Sequence, residues 1–217
     1  MTEPGTASVA RTRAETYGFL CSLYSTPPSG ALIDLLRGGG IVRELGLDPD
    51  GPAARELAEF VGRAATPEDL ARDLTAEHTR LFVLPIGLRP YESVFVGGRQ
   101  RLGGAVTISV RRFYERAGAT VLPACLDLPD HIGVEMEFMK FLCGVQADAS
   151  EKGLHDAAQR SVELQKAFLE EHLLRWAPAL CARLRAEATS GLFRALAHWT
   201  EEFLRDEADG LQGSGAG

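Results

Sequence analysis

Apolar residues recur along most of this chain at three- and four-residue spacing, the pattern of helices with one buried face. The clearest stretch is C-terminal. Leu192, Leu196, Trp199 and Phe203 follow one another at i, i+4, i+7 and i+11, and Phe193, Thr200 and Leu204 widen the stripe. Glu201, Glu202 and Arg205 fall largely outside it. Segment 153–172 reads the same way through Ala157, Ala158, Val162, Phe168 and Leu169, and a further helix is expected over 178–188 with Pro178 in its first turn. Segment 66–82 has a marked start. Thr66 can cap it, Pro67 suits the first helical position, and Asp69 stands where a capping-box acid would. Leu70, Leu74 and Leu81 give its apolar stripe.

Segment 9–25 is expected to be a helix ending before Pro27-Pro28, and short helices are expected over 29–37 and 52–64. Val106 to Val110 is the best strand candidate, but the run to Arg116 continues it more comfortably as helix. Strand–helix alternation is missing, and no internal repeat is visible. Two irregular stretches stand out, 84–104 and 118–128; a loop as long as the first is usually functional or mobile. The reading is all-α: a single compact domain of roughly nine helices over 9–208, with flexible ends at 1–8 and 209–217.

Composition narrows the classes. The 45% apolar and 24% charged fractions are those of an ordinary soluble globular protein. A net charge of −7 argues against a nucleic-acid binder and suits a positively charged partner, although it also serves solubility. The four cysteines are far apart and form no C-x-x-C pair, so each is expected to be a buried reduced thiol in a cytoplasmic setting. No run of about 18 apolar residues is present to span a membrane. Met1 to Arg13 lacks the apolar core of an export signal, and its Arg11 and Arg13 are not adjacent.

Candidate chemistry is thin. His131 and Glu135 are four apart on one helix face, with Asp130 just before. The three could serve a metal-dependent hydrolase. The stronger reading of these residues alone is structural: Asp127 or Asp130 caps the helix while His131 bonds to Glu135, and no second His or Cys pair lies at ligand spacing nearby. Ile132, Met136, Met139 and Cys143 continue from there as an apolar stripe, more often core than contact surface. Pro90 turns the chain away from helix at Arg89, and Tyr91-Glu92-Ser93 follows in the long loop. That loop is either anchored by a buried Tyr ring or presents Glu92 to a groove. Gly97-Gly98 and Gly103-Gly104 flank Arg99-Gln100-Arg101 without either phosphate-loop spacing, and no G-x-S-x-G surrounds Ser93.

Arg80-Leu81-Phe82 with Pro85, Pro90-Tyr91-Glu92-Ser93-Val94, and Asp130-His131 with Glu135 occur together and in order. Phe168 to Leu173 with Trp176, and Phe193 to Phe203, follow. This set resembles the TorD/DmsD/NarJ family across roughly 10–207. The resemblance implies an all-α chaperone with no catalytic residues, metal or cofactor of its own. Its partners would be an apo-molybdoenzyme catalytic subunit and that enzyme's twin-arginine or other leader peptide, with no stable membrane insertion. It implies peptide binding by Asp130, His131 and Glu135, by Tyr91, Glu92 and Ser93, and by Leu81 and Phe82. A leader presents guanidiniums beside an apolar stretch, so carboxylates (Asp130, Glu135, Glu92) near an apolar groove (Leu81, Phe82, Ile132, Phe138) would suit it. The family also includes NarJ-type chaperones of membrane-bound nitrate-reductase-like enzymes, the nearest alternative. The protein is expected as a monomer or a domain-swapped dimer. Many members carry an aromatic residue several positions before Arg-Leu-Phe; Asp73 to Thr79 contains none.

Overall fold

Helices build the chain as the periodicity implies. The computed structural model describes residues 5–44, 48–64, 66–96 and 102–213. The segment Gly97 to Arg101 and the outermost residues of both expected flexible ends lie outside these. The order is α1 (Thr6–Ser25), α2 (Gly30–Arg37), α3 (Ile41–Glu44), α4 (Pro52–Arg63), α5 (Pro67–His78), α6 (Glu92–Val96), α7 (Ala105–Arg116), α8 (Ile132–Glu151), α9 (His155–Phe168), α10 (Leu174–Glu187) and α11 (Gly191–Gly213). Two π-helical turns are inserted, Thr79–Val83 after α5 and Leu169–Leu173 between α9 and α10. Among the described residues there is no strand, only one isolated bridge between Tyr91 and His131. None of the helices is long and apolar enough to cross a membrane.

The chain forms two compact units. The first holds residues 1–22, 91–177 and 205–217, the second 23–90 and 178–204. In the first, α8 supplies Met136, Met139, Leu142 and Cys143 to the core, against Phe113 of α7 and Phe168 of α9. Phe113, Tyr114, Phe138 and Phe168 form an aromatic cluster with ring centroids 4.4–6.0 Å apart. Ile132 and Phe138, expected as possible groove residues, are buried in this core. The buried face of α9 is Ser161, Gln165 and Phe168, whereas Ala157 is exposed and Val162 only half-buried. Polar groups can face inward there because each finds a partner. Ser161 donates to the Leu142 carbonyl and Gln165 donates to Gln146.

In the second unit the start of α5 is as expected. Thr66 Oγ1 accepts the Asp69 amide at 3.0 Å and donates to the Asp69 carboxylate at 2.9 Å. Leu70, Leu74 and Leu81 are all buried. Phe82 sits edge-on to Tyr24 and Phe193, with His78 beside it. Glu77 is 6% exposed and acts as a remote cap for α11. Its carboxylate accepts the amides of Thr189 and Ser190 and the Thr189 hydroxyl. Those bonds hold its pKa below the usual carboxylate value even though burial pushes it up. Gly191 lies where any Cβ would strike the Glu56 carbonyl, so α4 and α11 need glycine to approach this closely.

Several expectations shift. Helix α10 starts at Leu174, not 178, and runs on from the π turn, so Pro178 lies inside it. Arg89 takes a positive φ of 49° in place of the extended form usual before proline. Helix α11 continues to Gly213, into the stretch read as a flexible end. Cys143 and Cys181 are buried, and burial pushes each thiol up to about 12. Cys125 is exposed, because the 118–128 segment that carries it stays outside the core.

Candidate functional site

Six of the eight expected site residues belong to the first unit, and they form one network. The Tyr91–His131 bridge lays the two signature segments side by side. The Glu92 amide donates to the Asp130 carbonyl at 2.8 Å. Beyond this pairing, each segment turns into a helix, α6 at Glu92 and α8 at Ile132.

Asp130 fastens this corner. One carboxylate oxygen accepts the Ser93 amide at 3.0 Å, and the other accepts the Thr107 hydroxyl of α7 at 2.7 Å. It therefore caps α6 and does not cap α8, whose own N-cap is His131. His131 Nδ1 accepts the Gly133 amide at 3.1 Å. That bond places the ring proton on Nε2, and burial lowers the His131 pKa below its usual value, so the imidazole is neutral. Asp127 at 3.9 Å from the same nitrogen is then a neighbour and not an ion-pair partner. The expected His131–Glu135 bond does not form. Tyr91 packs its ring edge-on against His131 at 4.9 Å and donates its hydroxyl to Asp127 at 2.9 Å. Ser93 Oγ accepts the Gly103 amide at 3.0 Å, tying down the far end of the long loop.

The two glutamates face a different pair of residues. Glu92 Oε2 accepts from His172 Nδ1 at 2.9 Å, and Glu135 Oε2 accepts the Trp176 indole N–H at 3.1 Å. The other Glu135 oxygen, Oε1, is buried without a hydrogen-bond partner. Burial first, and the neighbouring Glu92 charge second, push the Glu135 pKa well above the usual carboxylate value. His172 and Trp176 are four apart, and the π turn that contains His172 sets their phase toward Glu92 and Glu135. Neither was among the expected site residues. Their spacing was the available signal, since i and i+4 share a face, just as Glu135 follows His131.

This geometry bears on the expected groove. Asp130 and Glu135 are 0% exposed and Glu92 is 1% exposed. All three carboxylates face inward, and both Asp130 oxygens, Glu92 Oε2 and Glu135 Oε2 are taken by this unit's own donors. The solvent edge is made by residues that were not expected there. Asp127 has 39% of its side chain exposed, its chain neighbour Leu126 is 99% exposed, and Leu122 in the same segment is 71% exposed. Asp130, His131 and Glu135 point to separate partners, and among the described residues no group of three or more His, Cys, Asp or Glu could hold a metal ion. A hydrolase built on that trio has no support in this arrangement.

Leu81 and Phe82 belong to the second unit, on the π turn after α5. Leu81 is core; its carbonyl accepts the Leu88 amide at 2.7 Å. Gly87 passes so close to that carbonyl that no side chain fits. The short loop so formed exposes Val83, Leu84 and Ile86.

Comparisons with known proteins agree with one another. A family model described as the nitrate reductase delta subunit matches residues 47–182. The chain is 29% identical over 206 residues to the chaperone protein TorD of Aeromonas salmonicida, covering 92% of this chain and 91% of that one. It is 35% identical over 158 residues to the perchlorate reductase assembly chaperone protein of Dechloromonas aromatica, covering 68% and 67%. It is 25% identical over 207 residues to the chaperone protein TorD of Vibrio atlanticus, covering 93% and 95%.

Proposed function

Since this chain belongs to the nitrate reductase delta subunit family, whose members are chaperones of reductase assembly and not enzymes, we propose that it is a cytoplasmic maturation chaperone. In this reading it binds the apo form of a molybdenum-cofactor oxidoreductase and the twin-arginine or related leader at that enzyme's N-terminus. It holds both until the cofactor is in place. Similarity to TorD chaperones over nine-tenths of both chains carries this reading.

The site gains a division of labour. Asp130, His131, Glu135, Glu92 and Ser93 act as a buried frame that fixes two helix starts, and Tyr91 hands that frame to the surface by holding Asp127. Asp127, with exposed Leu126 next to it in the chain, offers what a leader needs, a carboxylate for guanidinium next to apolar surface. Titration of a synthetic twin-arginine leader, followed by fluorescence anisotropy, tests this. Asp127→Asn should weaken binding about tenfold, the size of one charge-assisted hydrogen bond, with unchanged thermal stability. Equal affinity of the variant would remove Asp127 from the contact. Tagged protein drawn from its host should bring down a reductase catalytic subunit with its leader uncleaved. A co-purifying subunit with a degenerate leader would point to the NarJ-type client instead.

A further inference from the structure

The first unit also carries a recessed surface whose lining includes neither Tyr91 nor Asp127. It is a groove of about 530 Å³ between one face of α7 and the π turn Leu169–Leu173. Ile108, Arg112 and Arg116 line the α7 side; Phe113 and His172 form the floor, and Glu171 stands opposite. All of these belong to the same unit.

Its charge is opposite to that of the molecule. The chain carries −7 overall, yet the groove has two guanidiniums against one carboxylate. Arg116 lies over the Phe113 ring at 4.3 Å and is 3.9 Å from Glu171, a distant and exposed pairing. Among the described residues Arg112 has no ion-pair or hydrogen-bond partner. By contrast, Arg11 is paired closely with Asp148 and Glu151, and Arg13 with Glu207. Ile108 beside them is 42% exposed, so the wall is apolar as well as cationic.

From this we infer that the groove is a docking site for an acidic, aliphatic peptide segment of a protein partner, separate from leader recognition. Charge sign excludes the leader here, because its arginines would meet Arg112 and Arg116. Shape favours a peptide over a small anion. From Ile108 to Arg116 the α7 wall runs about 12 Å, at about 1.5 Å per residue. That length matches about four extended residues at about 3.3 Å each. One carboxylate meets the free Arg112 fork bidentately, a second competes with Glu171 for Arg116, and an aliphatic side chain covers Ile108 and the rim of Phe113.

The test uses the full chain and a fluorescein-labelled hexapeptide alternating leucine with glutamate and aspartate. A partner peptide with lysine at the acidic positions, inorganic phosphate as competitor, and the twin-arginine leader complete the set. The acidic probe should bind about tenfold tighter than its lysine counterpart, against the repulsion of the whole acidic chain. Arg112→Gln should cost about tenfold and Arg112→Glu more, while leader affinity is unchanged in both. Arg112 is exposed, so folding should survive, and far-UV circular dichroism checks it. Probe binding insensitive to Arg112→Gln overturns the proposal. Phosphate binding with the same Arg112 dependence, and no peptide binding, also overturns it and makes the groove a small-anion site. Loss of leader binding alongside the acidic probe would join the two surfaces and overturn the separation.

Discussion

Glu135 is an acid placed where charge is costly, and its protonation couples the buried network to pH. A raised folded-state pKa means the folded protein keeps a proton that the unfolded chain releases once pH passes about 4.3. The unfolded state then binds fewer protons, so stability falls as pH climbs from there toward the folded-state value. Glu135→Gln removes this titration while its carbonyl oxygen still accepts the Trp176 N–H. The variant should show a flatter stability profile than the wild type between pH 5 and 8, and match or exceed it at pH 8 by about 1 kcal/mol. Urea midpoints at both pH values measure this, and an unaltered pH gap would mean that another group carries the dependence. Local sequence chemistry could not place this acid. H-x-x-x-E is equally compatible with a ligand pair, a cap and a core residue, and burial alone separates them.

At the scale of elements, the two π turns are the least expected features, and both fall on signature segments. One contains Arg80-Leu81-Phe82, and the other contains His172. A π turn is one residue more than an α-helix needs, tolerated where it aims a side chain. Deleting Glu170, an exposed residue within the second turn, should let α9 and α10 join as regular helix. Four α-helical residues turn about as far as five π-helical ones, so α10 and Trp176 would keep their phase while the residues inside the turn move. His172 would leave Glu92, stranding one buried acid, while Trp176 stays on Glu135. The expected loss is about 1–3 kcal/mol, the cost of one stranded buried group. Glu170→Ala, which keeps the register, should be close to neutral, and chemical unfolding separates the two. Equal stability of deletion and substitution would mean the turn is not needed for alignment. Helix existence was legible from apolar spacing and from the Thr66-Pro67-Asp69 start, because those signals are local. The π turns, the polar inner face of α9 and the cap lent by Glu77 to α11 were not legible, because each depends on a partner distant in sequence.

For the whole molecule, what sequence revealed best was class: all-α, acidic, without a catalytic motif. What it misplaced was the direction of its acids. Asp130, Glu92 and Glu135 read as surface charge for an arginine-bearing leader, yet they are consumed inside the first unit. On the proposed reading, the attraction for a cationic leader is assigned to exposed Asp127 and to the diffuse field of a chain at −7. These two sources respond differently to salt. A diffuse field steers encounter over distances longer than the Debye length, about 10 Å at 0.1 M salt, whereas a contact pair beside apolar surface is screened less. Stopped-flow binding of a twin-arginine leader should therefore show an association rate that drops about tenfold between low and about 0.5 M salt, with a dissociation rate that changes far less. Asp127→Asn should act the other way, raising dissociation and leaving the salt slope of association nearly intact. If salt acted on dissociation alone, the contact pair would be carrying the electrostatics, and the −7 charge would serve solubility only.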